Sequence, residues 1–290
     1  MPLTLTNYDQ QLRDGSRGAA AQMAMRILVR MAEVHGAAAM MDITAAHIDS
    51  ALYMGEATLE FAERLARLGG KVVVPTTLNV SGVDEAGWRE WPVPPEWAER
   101  AMRQMRAYTA MGCSPTWTCA PYQTGAAPRF GQQIAWGESN AIAFANSVLG
   151  ARTERYPDLL DICAAVTGRV PAVGLHLDEN RTAQLVVRLA GVPPSLQQAD
   201  EFYPVLGHLL GELAGNKVTA LVGLEIRPTE DQLKALGAAA ASSGSVALFH
   251  IVGVTPEAPT LEAACQGRAA QEEIEVDLAR LRAARRELST

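Results

Sequence analysis

The sequence predicts an α/β protein in which mostly parallel strands are linked by helices. Helical and strand-like segments alternate almost throughout. The apolar runs are of strand length: the longest, SVALFHIVGV at 245–254, falls far short of the roughly 18–20 apolar residues that cross a bilayer. Hydrophobic residues make up 48% of the 290, enough to bury a sizeable core.

Taken in order, Ser16 to Val34 reads as a helix with Ala19, Met23, Ile27 and Met31 on one face, followed by the strand-like AAAMMDIT. A second helix over Ala57–Leu68 is closed by Gly69-Gly70, a helix C-terminal stop, and leads into the buried-strand run KVVVP. Residues 81–95 form a Pro- and Trp-rich connector, after which Glu96–Met111 resumes helical spacing. Beyond an irregular polar segment, ESNAIAFANSVLGAR and YPDLLDICAAVTG read as helices and VPAVGLHL as a strand. LAGVPPSLQQ looks like a linker, so the expected division is one α/β domain over 1–195 and a second α/β region over 196–290. The latter alternates strand VTALVGLEI, helix EDQLKALGAAAA, strand SVALFHIVG and a charged helix over 272–288.

Composition excludes several function classes. A formal charge of −7 and a pI near 5.3 leave no electrostatic footprint for nucleic acid or an anionic membrane. Of the 25 basic residues only Lys71, Lys217 and Lys234 are lysines; the many arginines leave guanidinium groups for carboxylate recognition. MPLTLTNYDQQLRDG lacks the basic and apolar regions of a signal peptide, so a soluble, cytoplasmic protein is expected. There, four cysteines suggest thiols or metal ligands rather than disulfides. With no GxGxxG after a strand, Walker A, HExxH or GxSxG, no nucleotide cofactor is expected and zinc-protease and esterase chemistry lack support.

The chemistry concentrates between Met111 and Asp158, a run rich in Cys, Thr, Ser, Asn and amides set among Trp, Phe and Ala, with few Lys or Glu. Buried polar groups of this kind need hydrogen-bond partners, a ligand or a metal. Cys113 and Cys119 are too far apart for the CxxC of a zinc knuckle or redox dithiol. Glu138 opens a helix-like run beside Ser139 and Asn140, either as a helix-end carboxylate or as a ligand-facing acid or base. Arg152, with Thr153 beside it, either complements a helix dipole or clamps a carboxylate. Thr76, Thr77 and Asn79 come after KVVVP, where α/β sheets commonly bind ligands, although turn formation explains such residues too. His47 comes after AAMMDIT by the same logic and His176 ends VGLHL, while His35, His208 and His250 sit on apolar patterns.

Five motifs in order carry a family resemblance: DITAAHID at 42–49, VPTTLNV at 74–80, TCAPYQ at 118–123, IAWGESNAIAFANSVLGARTERY at 134–156 and GRVPAVGLHLDENR at 168–181. Together they resemble the large subunit of aconitase X along the whole chain. The resemblance is greatest to the bacterial branch that dehydrates cis-3-hydroxy-L-proline; an archaeal branch acts on mevalonate 5-phosphate. It implies an iron-sulfur cluster (2Fe-2S) or mononuclear iron, with Cys119 of the TC-x-PY motif as a ligand and Cys113 a weaker candidate. By position, Glu138, Ser139 and His47 are the catalytic candidates and Thr76, Thr77, Asn79, Asn140, Arg152 and Thr153 the substrate-binding ones, while the resemblance also implies a small-subunit partner that supplies a serine base. One segment offers at most two thiolates, so further ligands are expected from outside it. The family's own lie in a segment beyond ARRELST, and the expectation is therefore of a chain shortened at its C-terminus, inactive alone. A metal-free scaffold that binds a partner subunit is the reading from another class.

Overall fold

The computed structural model describes residues 3–125 and 127–288. Among these, the strands are β1 (Met40–Asp42), β2 (Ala46–Ile48), β3 (Thr76–Leu78), β4 (Ala135–Trp136), β5 (Arg169–Pro171), β6 (Leu185–Leu189), β7 (Thr219–Val222), β8 (Phe249–Ile251) and β9 (Glu272–Val276). The chain divides into two compact units: Met1–Ala127 with Gln132–Glu138 and Thr153–His176, and Pro128–Gly131 with Ser139–Arg152 and Leu177–Thr290. The Pro-rich stretch at 189–198 is a connection inside the second unit, after β6.

In the first unit β2 is the centre of a three-stranded parallel sheet, order β3-β2-β4, and β1 pairs antiparallel with β5. The helix Leu160–Thr167 is buried at every residue and packs on the helix Ala19–Val34. The latter buries Ala20, Ala24, Met25, Leu28 and Ala32, a face rotated from the expected one; Met23, Ile27 and Met31 flank it half-buried, and Ala19 is exposed. KVVV is not a strand: the Val72 amide donates to Met111 O at 2.9 Å and the Val73 amide to Ala165 O at 2.9 Å, so the ladder starts only at Thr76. VPAVGLHL likewise pairs only at its start and then turns into a 3-10 segment, Gly174–His176.

The short helix Asn7–Asp14 begins with a capping box in which Thr6 and Asp9 exchange hydrogen bonds. Asp9, fully buried, also accepts from Arg169 Nε at 2.7 Å and Nη2 at 3.2 Å. Arg169 continues to Met40 O at 3.0 Å and to Asp42, tying that helix to β1 and β5.

The second unit holds a four-stranded parallel sheet, order β8-β7-β6-β9, with helices Phe202–Ala214, Glu230–Ser243 and Leu278–Glu287. The first two of these helices meet at Gly207 and Gly211, where an added Cβ would lie 2.3 Å from Leu236 O and 2.2 Å from Ser243 Oγ, so glycine is needed for the contact. The expected charged helix over 272–288 is instead β9 and then Leu278–Glu287. Val276 is buried while Glu272, Glu273 and Glu275 stay in solvent, the pattern of a charged edge strand. ESNAIAFANSVLGAR forms an α-helix only over Ser139–Phe144 before widening into a π-turn, Ala145–Leu149. Arg181, 1% exposed, holds that turn through Asn146 O at 3.1 Å and Ala151 O at 3.2 Å, with its charge met by Glu257. No helix among the described residues is long and apolar enough to cross a membrane.

Candidate active site

All three strands of the first unit's parallel sheet run the same way, so their carboxyl ends gather Asp49 after β2, Asn79 after β3, and Gly137 and Glu138 after β4. A fourth segment joins this end. The Ser114 amide donates to Thr76 O at 2.8 Å, Thr116 Oγ1 donates to Leu78 O at 2.8 Å, and the Thr118 amide reaches the same oxygen at 3.2 Å. Residues 114–118 thus track the edge of β3, with Trp117 in the left-handed region at φ 45°, and deliver Cys119 beyond Leu78. Cys119 is the exposed thiol of the four cysteines.

Asp49 has an unusual environment. Asn79 Nδ2 donates to its carboxylate, yet burial, aided by the nearby charges of Asp158 and Glu138, pushes its pKa up to about 6. Beneath it Asp161, 1% exposed, accepts from the amides of Asp49 at 2.7 Å, Ser50 at 3.1 Å and Ile162 at 2.6 Å and from Ser50 Oγ at 2.9 Å. Burial raises Asp161 to about 6 as well, against the pull of those donors. Ser50 Oγ also meets the buried Tyr108 hydroxyl at 3.0 Å. Gly137 closes over this network: a Cβ there would sit 2.9 Å from Asp161 Oδ2 and 2.9 Å from Asp49 Cβ. Only a glycine lets the chain leaving β4 pass so near.

Several expected site residues take structural places instead. His47 is not beyond a strand but at the centre of β2, fully buried, with Nδ1 2.8 Å from Thr77 Oγ1 and its ring edge-on to Trp136. Nε2 has no hydrogen-bond partner; burial lowers the pKa to about 4, against a smaller upward pull from the Thr118 backbone, leaving a neutral imidazole. Thr76 and Thr77 are themselves β3, and Thr76 Oγ1 donates to Val74 O at 2.8 Å. Thr153 is buried and accepts from the Trp136 amide at 3.1 Å. Cys113 lies in the core, its thiol pushed up to about 12 by burial, which does not suit a metal ligand; Cys163 is a buried helix residue. His176 is saturated, with Nδ1 2.6 Å from Gln133 Oε1 and Nε2 against Tyr156. In the second unit Ser139 and Asn140 start a helix, and Arg152 forms an ion pair with Asp178. Along the chain, one of the crossings between the units falls between Glu138 and Ser139.

The fit to an iron centre is partial. Cys119 offers an accessible thiol at the sheet's carboxyl end, but among the described residues neither it nor Cys113 belongs to a group of three ligating side chains. An iron centre here needs donors beyond those that the described residues assemble.

Fold and site together define an α/β protein of two units with an acid-bearing polar site at the carboxyl end of a parallel sheet. The chain belongs to the aconitase X family: the aconitase X first domain matches residues 2–179 and the second domain residues 183–286. It is 50% identical over 294 residues to a cis-3-hydroxy-L-proline dehydratase of Hypocrea jecorina, covering 100% of this chain and 49% of that protein. It is 42% identical over 288 residues to a phosphomevalonate dehydratase large subunit of Methanothermobacter thermautotrophicus, covering 99% of this chain and 70% of that one. The solved structure of Thermococcus kodakaraensis aconitase X in its holo-form superposes with a TM-score of 0.85 at 36% identity, over 98% of this chain and 69% of that one. The chain thus spans about half the length of the cis-3-hydroxy-L-proline dehydratase.

Proposed function

We propose that this chain is the large-subunit part of a hydro-lyase that removes water from cis-3-hydroxy-L-proline to give a pyrroline-2-carboxylate. The observation that carries the reading is the raised Asp49 carboxyl at a sheet end shared with Asn79, Glu138 and Cys119, in a chain half identical to a dehydratase of that substrate. In the substrate, hydroxyl and carboxylate share a ring face and the α-proton lies opposite, so anti elimination is available. The α C–H bond breaks to a base, the C2–C3 double bond forms, and the hydroxyl leaves as water after taking a proton.

Asp49, with Glu138 nearby, handles that last proton, since a carboxyl near pKa 6 holds one far more readily than an ordinary aspartate. Asn79 orients Asp49, and Asp161 fixes the backbone turn that presents it. Glu138 faces the substrate at the same sheet end. His47, neutral at pH 7, holds Thr77 and the sheet rather than donating a proton. Cys119 is the thiolate for an iron centre, which when bound would supply Lewis acidity toward the departing oxygen. A small subunit completes donors and site, and the assembly is cytoplasmic.

Action on mevalonate 5-phosphate is the second reading, favoured by the 42% identical phosphomevalonate dehydratase subunit. It would need cations for a phosphate, and Lys71 is engaged with Ala110 O while Lys217 pairs with Glu272. Assaying the assembled protein with both substrates decides: turnover of cis-3-hydroxy-L-proline alone is expected, and turnover of the phosphate ester alone would reverse the assignment. Iron analysis of the same preparation separates both from a metal-free scaffold.

A further inference from the structure

A group of ligating side chains in the second unit has no part in the site above. His208 and Glu212 lie one turn apart on the helix Phe202–Ala214, and Glu287 comes from the helix Leu278–Glu287 packed against it. His208 Nε2 lies 3.6 Å from Glu212 Oε1 and 3.7 Å from Glu287 Oε2, and the three ligand atoms all fall within 4.8 Å of one another. These separations are too long for hydrogen bonds; a charge-assisted imidazolium–carboxylate contact would close to about 2.7–2.9 Å. The two imidazole–carboxylate separations come within a few tenths of an ångström of the edges of a coordination tetrahedron, since bonds of about 2.0–2.2 Å place ligands roughly 3.4 Å apart. His208 Nε2 is itself buried with no hydrogen-bond partner, although both carboxylates lie close by. The side chains of Glu212 and Glu287 are 45% and 61% exposed, leaving an entry path and room for a water as fourth ligand.

We propose that His208, Glu212 and Glu287 form a binding site for a borderline divalent metal ion of the Zn²⁺ class. One imidazole and two carboxylates suit such an ion better than Ca²⁺ or Mg²⁺, which take mainly oxygen, or Cu⁺, which takes sulfur. Two ligands at i and i+4 on one helix and a third from its neighbour make the ion a staple that fastens Leu278–Glu287 to the unit. Binding the folded state alone, it raises stability by mass action.

Zn²⁺ titration of chelator-treated protein carrying Cys119→Ser, which removes the exposed thiol, tests the site by calorimetry and thermal melting. One equivalent should bind and raise Tm. His208→Ala or Glu212→Gln in that background should weaken binding by about 100-fold or more and abolish the Tm rise, with unchanged circular dichroism confirming the fold. Co²⁺ in place of Zn²⁺ should give a tetrahedral visible spectrum lacking a thiolate charge-transfer band. No binding in the Cys119→Ser protein, binding that survives both further substitutions, or a thiolate band overturns the site.

Discussion

At the scale of single residues, Asp49 just past β2 and His47 at its centre sit two positions apart and are shifted oppositely by the same cause. Burial favours the neutral form of each: the carboxyl rises to about 6 and the imidazole falls from 6.5 to about 4. If Asp49 protonates the leaving hydroxyl, kcat/KM of the assembled enzyme should fall as pH rises through about 6, and Asp49→Asn should cost about 10²–10⁴-fold in turnover. A flat alkaline side, or an Asp49→Asn variant within a few-fold of the parent, would remove Asp49 from the chemistry. For His47 the folded-state pKa lies below the unfolded one, so its contribution is complete above pH 6.5 and is lost as pH falls toward about 4. That shift is worth roughly 3 kcal/mol. Asp49 and Asp161 act in the opposite sense, since carboxyls raised from 3.8 to about 6 stabilise most below 3.8 and lose that contribution as pH rises through 6. The comparison that isolates His47 is therefore between the parent and His47→Asn, which keeps a polar group near Thr77. Between about pH 7 and pH 4.5, the window of the histidine's lost contribution, the variant's urea midpoint should rise relative to the parent's on acidification, because the carboxyl gain is no longer offset, and parallel profiles would contradict a neutral buried imidazole.

At the scale of elements, helices are more legible than strands because their signals are local. Glu56–Arg67 and Pro95–Ala110 lie within a residue or two of the spans their periodicity and stop signals predict. The strands here are two to five residues long, and KVVV carries β-favouring residues without a partner to pair with, so pairing rather than propensity sets where β3 begins. The site is legible in part for the same reason. Asn79 and Glu138 stand just past a strand end, a local signal, whereas the Asp161–Ser50–Tyr108 network joins residues distant in sequence and escapes local reading. Asp161 does carry a signal: it is the charged residue in the apolar helix LDICAAVT, and a carboxylate there demands partners. The Asp9–Arg169 pair, which joins the helix Asn7–Asp14 to β5, is likewise invisible to local reading. Asp9→Asn should destabilise the protein by about 3–5 kcal/mol because it strands a buried guanidinium. Chemical denaturation measures this, and a loss below about 1 kcal/mol would mean that Asp42 alone satisfies Arg169.

At the scale of the whole molecule, the decisive quantity is the number of thiolates brought to the sheet end. Cys113 and Cys163 are buried protonated thiols, and Cys265 is buried in the second unit, which leaves Cys119. One thiolate does not hold an iron-sulfur cluster, which needs three or four donors. The 290-residue chain purified by itself should therefore fold, carry little iron and show no dehydration of cis-3-hydroxy-L-proline. Supplied with the small subunit and the remaining donors, it should gain iron and turnover together, and Cys119→Ser should lose both while Cys113→Ala and Cys163→Ala keep them, because a neutral hydroxyl replaces a thiolate poorly on iron. Iron content, acid-labile sulfide and turnover on each preparation give the answer. Stoichiometric iron with full activity in the chain alone would mean that donors other than Cys119, Asp49 and Glu138 among them, complete the centre. Iron retained in the Cys119→Ser assembly would move the ligand to another sulfur and take the TC-x-PY motif out of the metal site.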